Sequence, residues 1–260
     1  MNGIYPEDPL VYLAIFLIFC RLMSFLLLIP VLGHKAIPAP FRLSLGLTLS
    51  LVLYPVVKRY LPPVPLSIEG VTLAVGREVC VGLVLGAGAY VTMEAIALGA
   101  QLTGYQLGWG TAGLLDPHSQ QQTSALAPLY GWMALMVILL ADLHHVFLAN
   151  FAESFAVTGA RSLTIPADTA IDALIRGTGS LWVLAVRIAA PLTAVLLGCQ
   201  VLLAILARLL PQMNVLFFSF PVLALAGLLT ILWLVPSLAD AFESQLVAVS
   251  DSAMVLLRQM

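Results

Sequence analysis

The residue types that could perform chemistry are sparse in this chain, and their spacing does not form a catalytic set. His144 and His145 follow Asp142 closely, which suggests either a proton relay or a metal site. Adjacent residues point to different sides of a helix, so the histidine pair lacks the i, i+4 spacing of a helical zinc site. No serine stands in a G-x-S-x-G context, and no phosphate-binding or dinucleotide fingerprint occurs. The sequence therefore predicts no enzyme, no metal and no cofactor.

Three charged residues fall inside long apolar runs: Arg21, Glu78 and Glu94. A charged residue at the centre of a spanning helix costs about 2.5–3.5 kcal/mol on insertion scales, so each needs a partner or a wet face. Arg21 is interpreted either as a structural residue, in an ion pair or a carbonyl contact with a neighbouring helix, or as a residue with a direct role in transport. Glu78 and Glu94 lie roughly 160° apart around a regular helix. They cannot face the same seam of an unbroken helix.

A glycine-rich segment with a polar tail interrupts the apolar sequence at about residues 106–122. Lipid-facing backbone must satisfy its own hydrogen bonds, so a non-helical segment between spanning helices is tolerated only beside protein or a water-filled cavity. Glycines allow the backbone to move at little steric cost. We interpret the segment as a plug that lines a conduit. The predicted plug residues are Gln106, Gly108, Gly110, Gly113, Asp116, Pro117, Gln120, Gln121 and Gln122.

The composition is that of a multi-pass membrane protein. Hydrophobic residues make up 61% of 260 positions, mean hydropathy is +1.05 and charged residues make up 9%, whereas soluble domains average roughly 25% charged residues. The net charge is -2 and the eleven lysines and arginines form no basic stripe, which argues against nucleic acid as a partner. Cys20, Cys80 and Cys199 lie far apart in apolar runs and are interpreted as core residues.

Six apolar runs compete for membrane-spanning roles, and their lengths predict irregular spans. At about 1.5 Å per residue, residues 43–57 reach only ~22 Å, which is less than the ~30 Å hydrocarbon core, so this run is not expected to span alone. Residues 71–103 and 125–157 exceed one crossing and carry charge, so they are expected to be broken or hairpin helices. The runs are about 10–32, 43–57, 71–103, 125–157, 178–207 and 215–239.

Prolines and glycines are expected to shape these helices. Proline removes a backbone donor and should kink or end a helix. The prolines within or beside the apolar runs are Pro30, Pro191, Pro221 and Pro236. Small residues at four-residue spacing let transmembrane helices approach closely, and Gly82, Gly86 and Gly88 are interpreted as packing positions. The expected fold is an all-α membrane bundle of long hydrophobic helices and hairpins, with partly non-canonical spans.

Four blocks of residues, in order along nearly the whole chain, carry a resemblance to a known family. The blocks are residues 30–47; Glu78 with Gly82; residues 104–117 with 144–155; and, most specific, residues 208–215 with Phe220-Pro221. This order resembles the FliR family of flagellar export-gate proteins, whose virulence relatives are the SctT components of type III secretion. The family usually has Asn-Gly where this chain has Asp142-Leu143, a departure that affects local loop geometry.

The resemblance implies one polytopic export-gate domain over residues 1–260, assembled into a helical export-gate complex. In it, one copy of the chain would join FliP and FliQ subunits, with FlhB and FlhA as further partners, in the bacterial inner membrane at the flagellar basal body. Unfolded flagellar proteins would be the exported substrates, and membrane lipids would surround the complex. The expected assembly motif is Arg208, Pro211, Gln212, Asn214 and Pro221.

Two alternatives remain at this point. The homologous subunit of a virulence system is disfavoured by Gly104-x-Gln106-x-Gly108, because the virulence branch tends to carry Asn-x-Arg-Gly there. A stand-alone secondary transporter for a small solute should show inverted repeats with broken helices at corresponding positions of two halves. The sequence shows one glycine-rich break, which favours the export-gate interpretation.

Overall fold

In a computed structural model of the chain, the described secondary structure is helical. The structure describes residues 9–30, 33, 37–61, 66–107, 126–159, 167–210, 212 and 214–259. The helices are α1 (Pro9–Leu28), α2 (Ala39–Val57, continued by a 3-10 turn over Lys58–Tyr60), α3 (Ile68–Gln106), α4 (Leu126–Leu140), α5 (Leu143–Thr158), α6 (Ala167–Leu209) and α7 (Val215–Gln259). Within these described ranges there is no β-strand, and the predicted all-α fold is confirmed.

Two predicted spans differ from the observed helices. The helix over Ala39–Tyr60 has 22 residues, or about 33 Å at the usual helical rise, so the expectation that this run is too short is wrong. Flanking proline and basic residues also adopt helical geometry, which a count of apolar residues misses. α3 is one continuous helix of 39 residues, so the break predicted within 71–103 is also wrong. Its sequence contains no proline that would remove a backbone donor.

The predicted break within 125–157 is confirmed. The chain leaves helical geometry at Ala141–Asp142, between α4 and α5. Asp142 has φ 53°, in the left-handed region, which aspartate tolerates better than most residues. Among the described non-glycine residues it alone has a positive φ. The interruption therefore has a specific backbone conformation at a specific residue.

The prolines end a helix less often than predicted. Pro191, Pro221 and Pro236 lie inside α6 and α7, which continue through them, whereas Pro30 follows the end of α1. Each interior proline removes one donor from the helical ladder, and the turns on either side maintain the helix. α7 also continues to Gln259, well beyond the apolar run that was predicted to end at 239.

Five described helices are long and apolar enough to cross a membrane, and there are six if the broken pair α4 and α5 forms one span. The chain is therefore an all-α, multi-pass membrane protein. The spanning windows of α1 and α3 are 39% and 44% buried within the chain, whereas those of α2, α6 and α7 are 17%, 22% and 22% buried. α2, α6 and α7 thus expose large apolar surfaces, of the kind that contact lipid or another protein.

The first of two compact units comprises residues 1–91, 142–175 and 246–260. α1 buries a face at helical spacing, formed by Ile18, Arg21, Leu22 and Phe25. Phe25 stacks on Phe151 of α5, with ring centroids 4.9 Å apart. The last turns of α7 also belong to this unit, where Asn150 Nδ2 donates to Ser250 Oγ at 2.7 Å.

The second unit comprises residues 92–141 and 176–245. Its apolar core combines residues from α3, α4, α6 and α7 with Leu107, which follows α3: Ala95, Ile96, Ala100, Leu107, Leu126, Ala127, Tyr130, Ala134, Leu184, Ile188, Leu192, Leu196, Leu223, Ile231, Leu234, Leu238 and Phe242. α3 and α6 approach closely at Gly99, where an added Cβ would lie 2.8 Å from the Ala185 carbonyl oxygen. Gly227 of α7 likewise leaves room for Leu107.

Three glycines of α3 allow close packing in the first unit, as predicted. A Cβ at Gly82 would collide with the Ser24 side chain and the Arg21 carbonyl of α1. A Cβ at Gly86 would lie 2.7 Å from Leu28 Cβ, and one at Gly88 would collide with Val249. The absence of a side chain at these positions sets the distance between neighbouring helices.

Substitution Gly82→Val should destabilise the protein by about 1–3 kcal/mol, because the added methyl groups force α1 away from α3. Gly76→Val is the matched control on the same helix, since nothing lies within 4 Å of a Cβ there. Thermal unfolding of both purified variants in detergent, followed by circular dichroism, provides the comparison. Equal loss of stability in the two variants would contradict the packing role of Gly82.

Candidate functional site

A buried ion pair between α1 and α3 lies at the centre of the first unit. Arg21 Nε donates to Glu78 Oε2 at 2.5 Å, and the two side chains are 2% and 4% exposed. A partner for Arg21 was expected from the sequence. The structure shows that this partner is Glu78, which was also singled out as a charged residue in an apolar run. The interpretation of Arg21 as part of a structural ion pair is therefore favoured over a direct role in transport.

The other guanidinium nitrogens of Arg21 bond to α5. Nη1 donates to Ser154 Oγ and Nη2 donates to Thr158 Oγ1, both at 3.0 Å. The Arg21 guanidinium carbon also lies 3.9 Å from the Phe155 ring centroid, a distance at which the ring face attracts a cation. One side chain thus joins α1, α3 and α5 through an ion pair, two hydrogen bonds and an aromatic contact.

The partners of Arg21 on α5 follow from helical spacing. Phe151, Ser154, Phe155 and Thr158 recur at i, i+3, i+4 and i+7 and are all buried, which places them on one face. The two hydroxyls also donate to carbonyls of their own helix, Ser154 to Phe151 at 2.6 Å and Thr158 to Ser154 at 2.8 Å. Because each hydroxyl donates along α5 and accepts from Arg21, both of its hydrogen-bonding roles are used.

Sequence reasoning missed Ser154 and Thr158 as partners of Arg21. Each is an ordinary small polar residue in an apolar helix, and neither carries a charge that would draw attention. The spacing of buried aromatic and hydroxyl residues on α5 was the available signal. That spacing would have identified the buried face of α5, but not Arg21 as the residue that contacts it.

Arg77 extends the polar cluster to the end of α5. Its Nη2 donates to the Thr158 carbonyl oxygen and, at 3.4 Å, to that of Gly159. Carbonyls in the last turn of a helix lack partners within the helix and carry partial negative charge. The neighbouring residues Arg77 and Glu78 therefore make separate contacts: Arg77 bonds to the carboxyl end of α5, and Glu78 pairs with Arg21.

Glu94 does not join this cluster. It lies on α3 in the second unit, its side chain is exposed, and no described residue is recorded as its partner in a hydrogen bond or ion pair. Because α3 is unbroken, the roughly 160° between Glu78 and Glu94 places them on different faces. The energetic cost of a charge in an apolar helix applies equally to Glu78 and Glu94. They differ because α1 packs beside Glu78 and brings Arg21 to it.

Gln106 is the one predicted plug residue within the described chain, and it is the last residue of α3. Its carbonyl oxygen accepts a long hydrogen bond from Gln200 Nε2 at 3.4 Å, and its Oε1 is buried without a partner among the described residues. The other plug residues lie outside the described residues: Gly108, Gly110, Gly113, Asp116, Pro117, Gln120, Gln121 and Gln122. The beginning of the predicted plug is anchored to the second unit, because Leu107, the residue after Gln106, is fully buried in its core.

The predicted assembly motif joins α6 to α7. Arg208 in the last turn of α6 and Gln212 in the connection are exposed. Asn214 Oδ1 accepts from the Phe217 N–H at 3.3 Å, as a capping residue does at the start of a helix. Pro221 lies inside α7, and Pro211 falls outside the described residues. An apolar cleft of about 280 Å³ lies beside the connection, lined by Cys199, Leu202, Leu203, Leu206, Val215, Phe218 and Val222.

Asp142, His144 and His145 come together at the break before α5. One potential ligand atom from each lies within 4.8 Å of the others. No metal site was expected from the sequence, because adjacent histidines point to different sides of a helix. Both histidines lie in the first turn of α5, yet their ring centroids are 4.1 Å apart. Asp142 precedes the helix, so the three side chains come together without the i, i+4 spacing.

These sites belong to an α-helical, multi-pass membrane protein whose principal buried charges neutralise each other. Residues 12–249 match the family described as bacterial export proteins, family 1, and the chain belongs to that family. It is 27% identical over 218 residues to the flagellar biosynthetic protein FliR of Caulobacter vibrioides, covering 84% of this chain and 86% of that protein. The predicted resemblance to the FliR family is confirmed.

Two further relatives represent flagellar and virulence systems. The flagellar biosynthetic protein FliR of Bacillus subtilis is 29% identical over 227 residues, covering 85% of this chain and 84% of the relative. The Yop proteins translocation protein T of Yersinia pestis is 23% identical over 240 residues, covering 91% of each chain. The similarity therefore extends over most of the length of both kinds of protein.

Replacing one member of the buried pair, by Arg21→Met or Glu78→Leu, should destabilise the protein by about 3–5 kcal/mol, because it leaves an uncompensated buried charge. Glu153→Gln is the control: it breaks the exposed Arg258–Glu153 pair at 3.1 Å, and loss of such a pair costs about 0–1 kcal/mol. The yield and unfolding temperature of each variant in detergent provide the test. Near-normal stability of both buried-site variants would show that the pair does not hold the unit together.

Proposed function

We propose that this protein is a membrane subunit of the flagellar type III export gate. The observation that carries the proposal is the family match over residues 12–249, together with flagellar relatives aligned over more than four fifths of the chain. In this role the subunit is structural and non-enzymatic, and resides in the bacterial inner membrane at the flagellar basal body. Exported flagellar proteins are its substrates.

FliP and FliQ subunits are the proposed partners in the gate, with FlhB and FlhA at its periphery. The exposed apolar faces of α2, α6 and α7 support this assignment, because an isolated chain buries only about a fifth of these spanning windows. The assembly motif would contribute Arg208 and Gln212, which are exposed beside the apolar cleft between α6 and α7. Membrane lipids would cover the faces that the partner subunits leave open.

The flagellar branch is preferred over the virulence branch on two observations. The flagellar relatives of Caulobacter vibrioides and Bacillus subtilis are 27% and 29% identical to this chain, against 23% for the translocation protein, while the flagellar relatives as a group span 19–29%. The chain also carries Gly104-x-Gln106-x-Gly108, which resembles the flagellar pattern.

We also propose that residues 106–122 form a plug that limits leakage when no substrate passes. Support comes from the composition of the segment and from its first residue, since Gln106 ends α3 beside Gln200 of α6. Glycines allow the backbone to shift, and the glutamine side chains can exchange hydrogen bonds between each other and water. A plug of this kind opens without breaking an apolar core.

Deleting the gene should abolish secretion of hook protein and flagellin together with swimming, because the export gate loses a subunit. A plasmid copy of the wild-type gene should restore all three. Immunoblots of the culture medium and motility plates provide the measurement, and total cellular hook protein controls for synthesis. Normal secretion and motility in the deletion strain would contradict the flagellar assignment.

Deleting residues 108–113 should raise the permeability of the assembled gate to small ions while leaving its assembly intact. Growth in the presence of added salt and conductance in planar bilayers measure leakage, and the yield of purified complex measures assembly. A deletion of the same length that begins after the glycines, over residues 119–124, tests whether the effect belongs to the glycines. Unchanged conductance in a stably assembled 108–113 deletion would contradict the plug.

A further inference from the structure

We propose that Asp142, His144 and His145 form a binding site for a divalent transition-metal ion such as Zn²⁺, at the break between α4 and α5. The set offers two imidazole nitrogens and one carboxylate oxygen. Imidazole suits late first-row metals, and a carboxylate is a common third ligand of zinc. Water would complete the coordination, so the site is open on one side. This inference concerns a different part of the chain from the buried ion pair.

The distances within the set suit such an ion. Asp142 Oδ1 lies 3.6 Å from His145 Nδ1. Two ligands that each lie about 2.1 Å from a tetrahedral zinc are ~3.4 Å apart, so these two atoms already have nearly the required separation. One potential ligand atom from each of the three residues lies within 4.8 Å of the others. Small side-chain rotations would bring the third ligand into range.

His144 gives a second, independent reason to expect a ligand. Its Nδ1 is buried and has no hydrogen-bond partner among the described residues. A buried polar atom without a partner costs free energy, and native structures rarely leave one unexplained. The His144 and His145 rings lie together, with centroids 4.1 Å apart, so the imidazole that carries this unpartnered nitrogen lies beside the other imidazole of the set.

The backbone at the break holds the three residues in place. Asp142 has a left-handed φ of 53°, which for a residue other than glycine is an uncommon conformation that functional sites often contain. The His145 N–H donates to the Asp142 carbonyl oxygen at 2.9 Å. This bond ties the residue before α5 to the first turn of α5. The carboxylate and the His145 imidazole are therefore presented together.

The exposure of the set makes it accessible to an ion. The Asp142 and His145 side chains are 72% and 69% exposed, whereas His144 is half-buried. A bound metal would join the break to the first turn of α5. Because the folded break holds the three ligands at fixed distances, the ion would bind the folded chain more tightly than the unfolded chain and raise the unfolding temperature.

The test is a titration of the full-length protein, purified in detergent without a polyhistidine tag and stripped of metal by chelation. Co²⁺ serves as the spectroscopic probe, with Zn²⁺ as competitor. One equivalent of Co²⁺ should produce visible ligand-field absorbance that Zn²⁺ removes, and Zn²⁺ should raise the unfolding temperature. His145→Ala and Asp142→Asn should weaken binding by more than the roughly tenfold loss that follows removal of an outer-shell partner.

The matched controls are His34→Ala and His118→Ala, which change the other two histidines of the chain and should leave the titration unchanged. Both ligand variants alter exposed side chains, so each should fold, and circular dichroism verifies this. The proposal is overturned if the wild-type protein gives no saturable absorbance, or if binding persists unchanged in His145→Ala and Asp142→Asn. Equal loss in the control variants would also overturn it, because the ion would then bind elsewhere.

Discussion

The first unit depends on how the charge of Arg21 is neutralised in an apolar interior. A guanidinium enclosed by three helices would be prohibitively costly without a counter-ion and without acceptors for its donors. Glu78 supplies the charge, Ser154 and Thr158 supply acceptors, and the Phe155 ring covers one face. Each of these partners requires a particular position of α1, α3 or α5. The arginine therefore restricts the arrangement of the three helices more strongly than apolar packing alone.

Close approach of the helices is the second condition for this arrangement. Gly82 stands one turn after Glu78 on α3, where the backbone of α1 would collide with any side chain. An ion pair at 2.5 Å and a glycine contact one turn away reinforce each other, since both need α1 and α3 at the same separation. At the carboxyl end of α5, Arg77 bonds to free carbonyls in the same region. The polar contacts of the unit thus form a connected cluster.

The sequence predicted the helical class, a break within residues 125–157 and the need of Arg21 for a partner. It could not choose between Glu78 and Glu94, because both obey the same energetic argument and only the position of α1 separates them. Ser154 and Thr158 were missed since hydroxyls in an apolar helix normally bond to their own backbone, as these also do. Helix lengths were misjudged at α2 and α7, where polar or charged residues continue a helix that begins as an apolar run.

The second unit is built around an apolar core, whereas the first contains the buried ion pair. It surrounds an apolar core with helices whose outer faces remain apolar and exposed, and α3 ends in it at Gln106, where the glycine-rich segment begins. In the proposed export gate, partner subunits would cover these surfaces. Exposed apolar faces are not confined to this unit, since the spanning window of α2 in the first unit is 17% buried.

The most direct test of the account is export by a strain in which Arg21→Met and Glu78→Leu are combined on the complementing copy of the gene. Replacing both buried charges by apolar residues removes the unpaired charge that either single change leaves. The account predicts that each single variant loses secretion of hook protein and that the double variant regains a substantial part of it. Normal secretion by both single variants, or a double variant as defective as either single one, would contradict it.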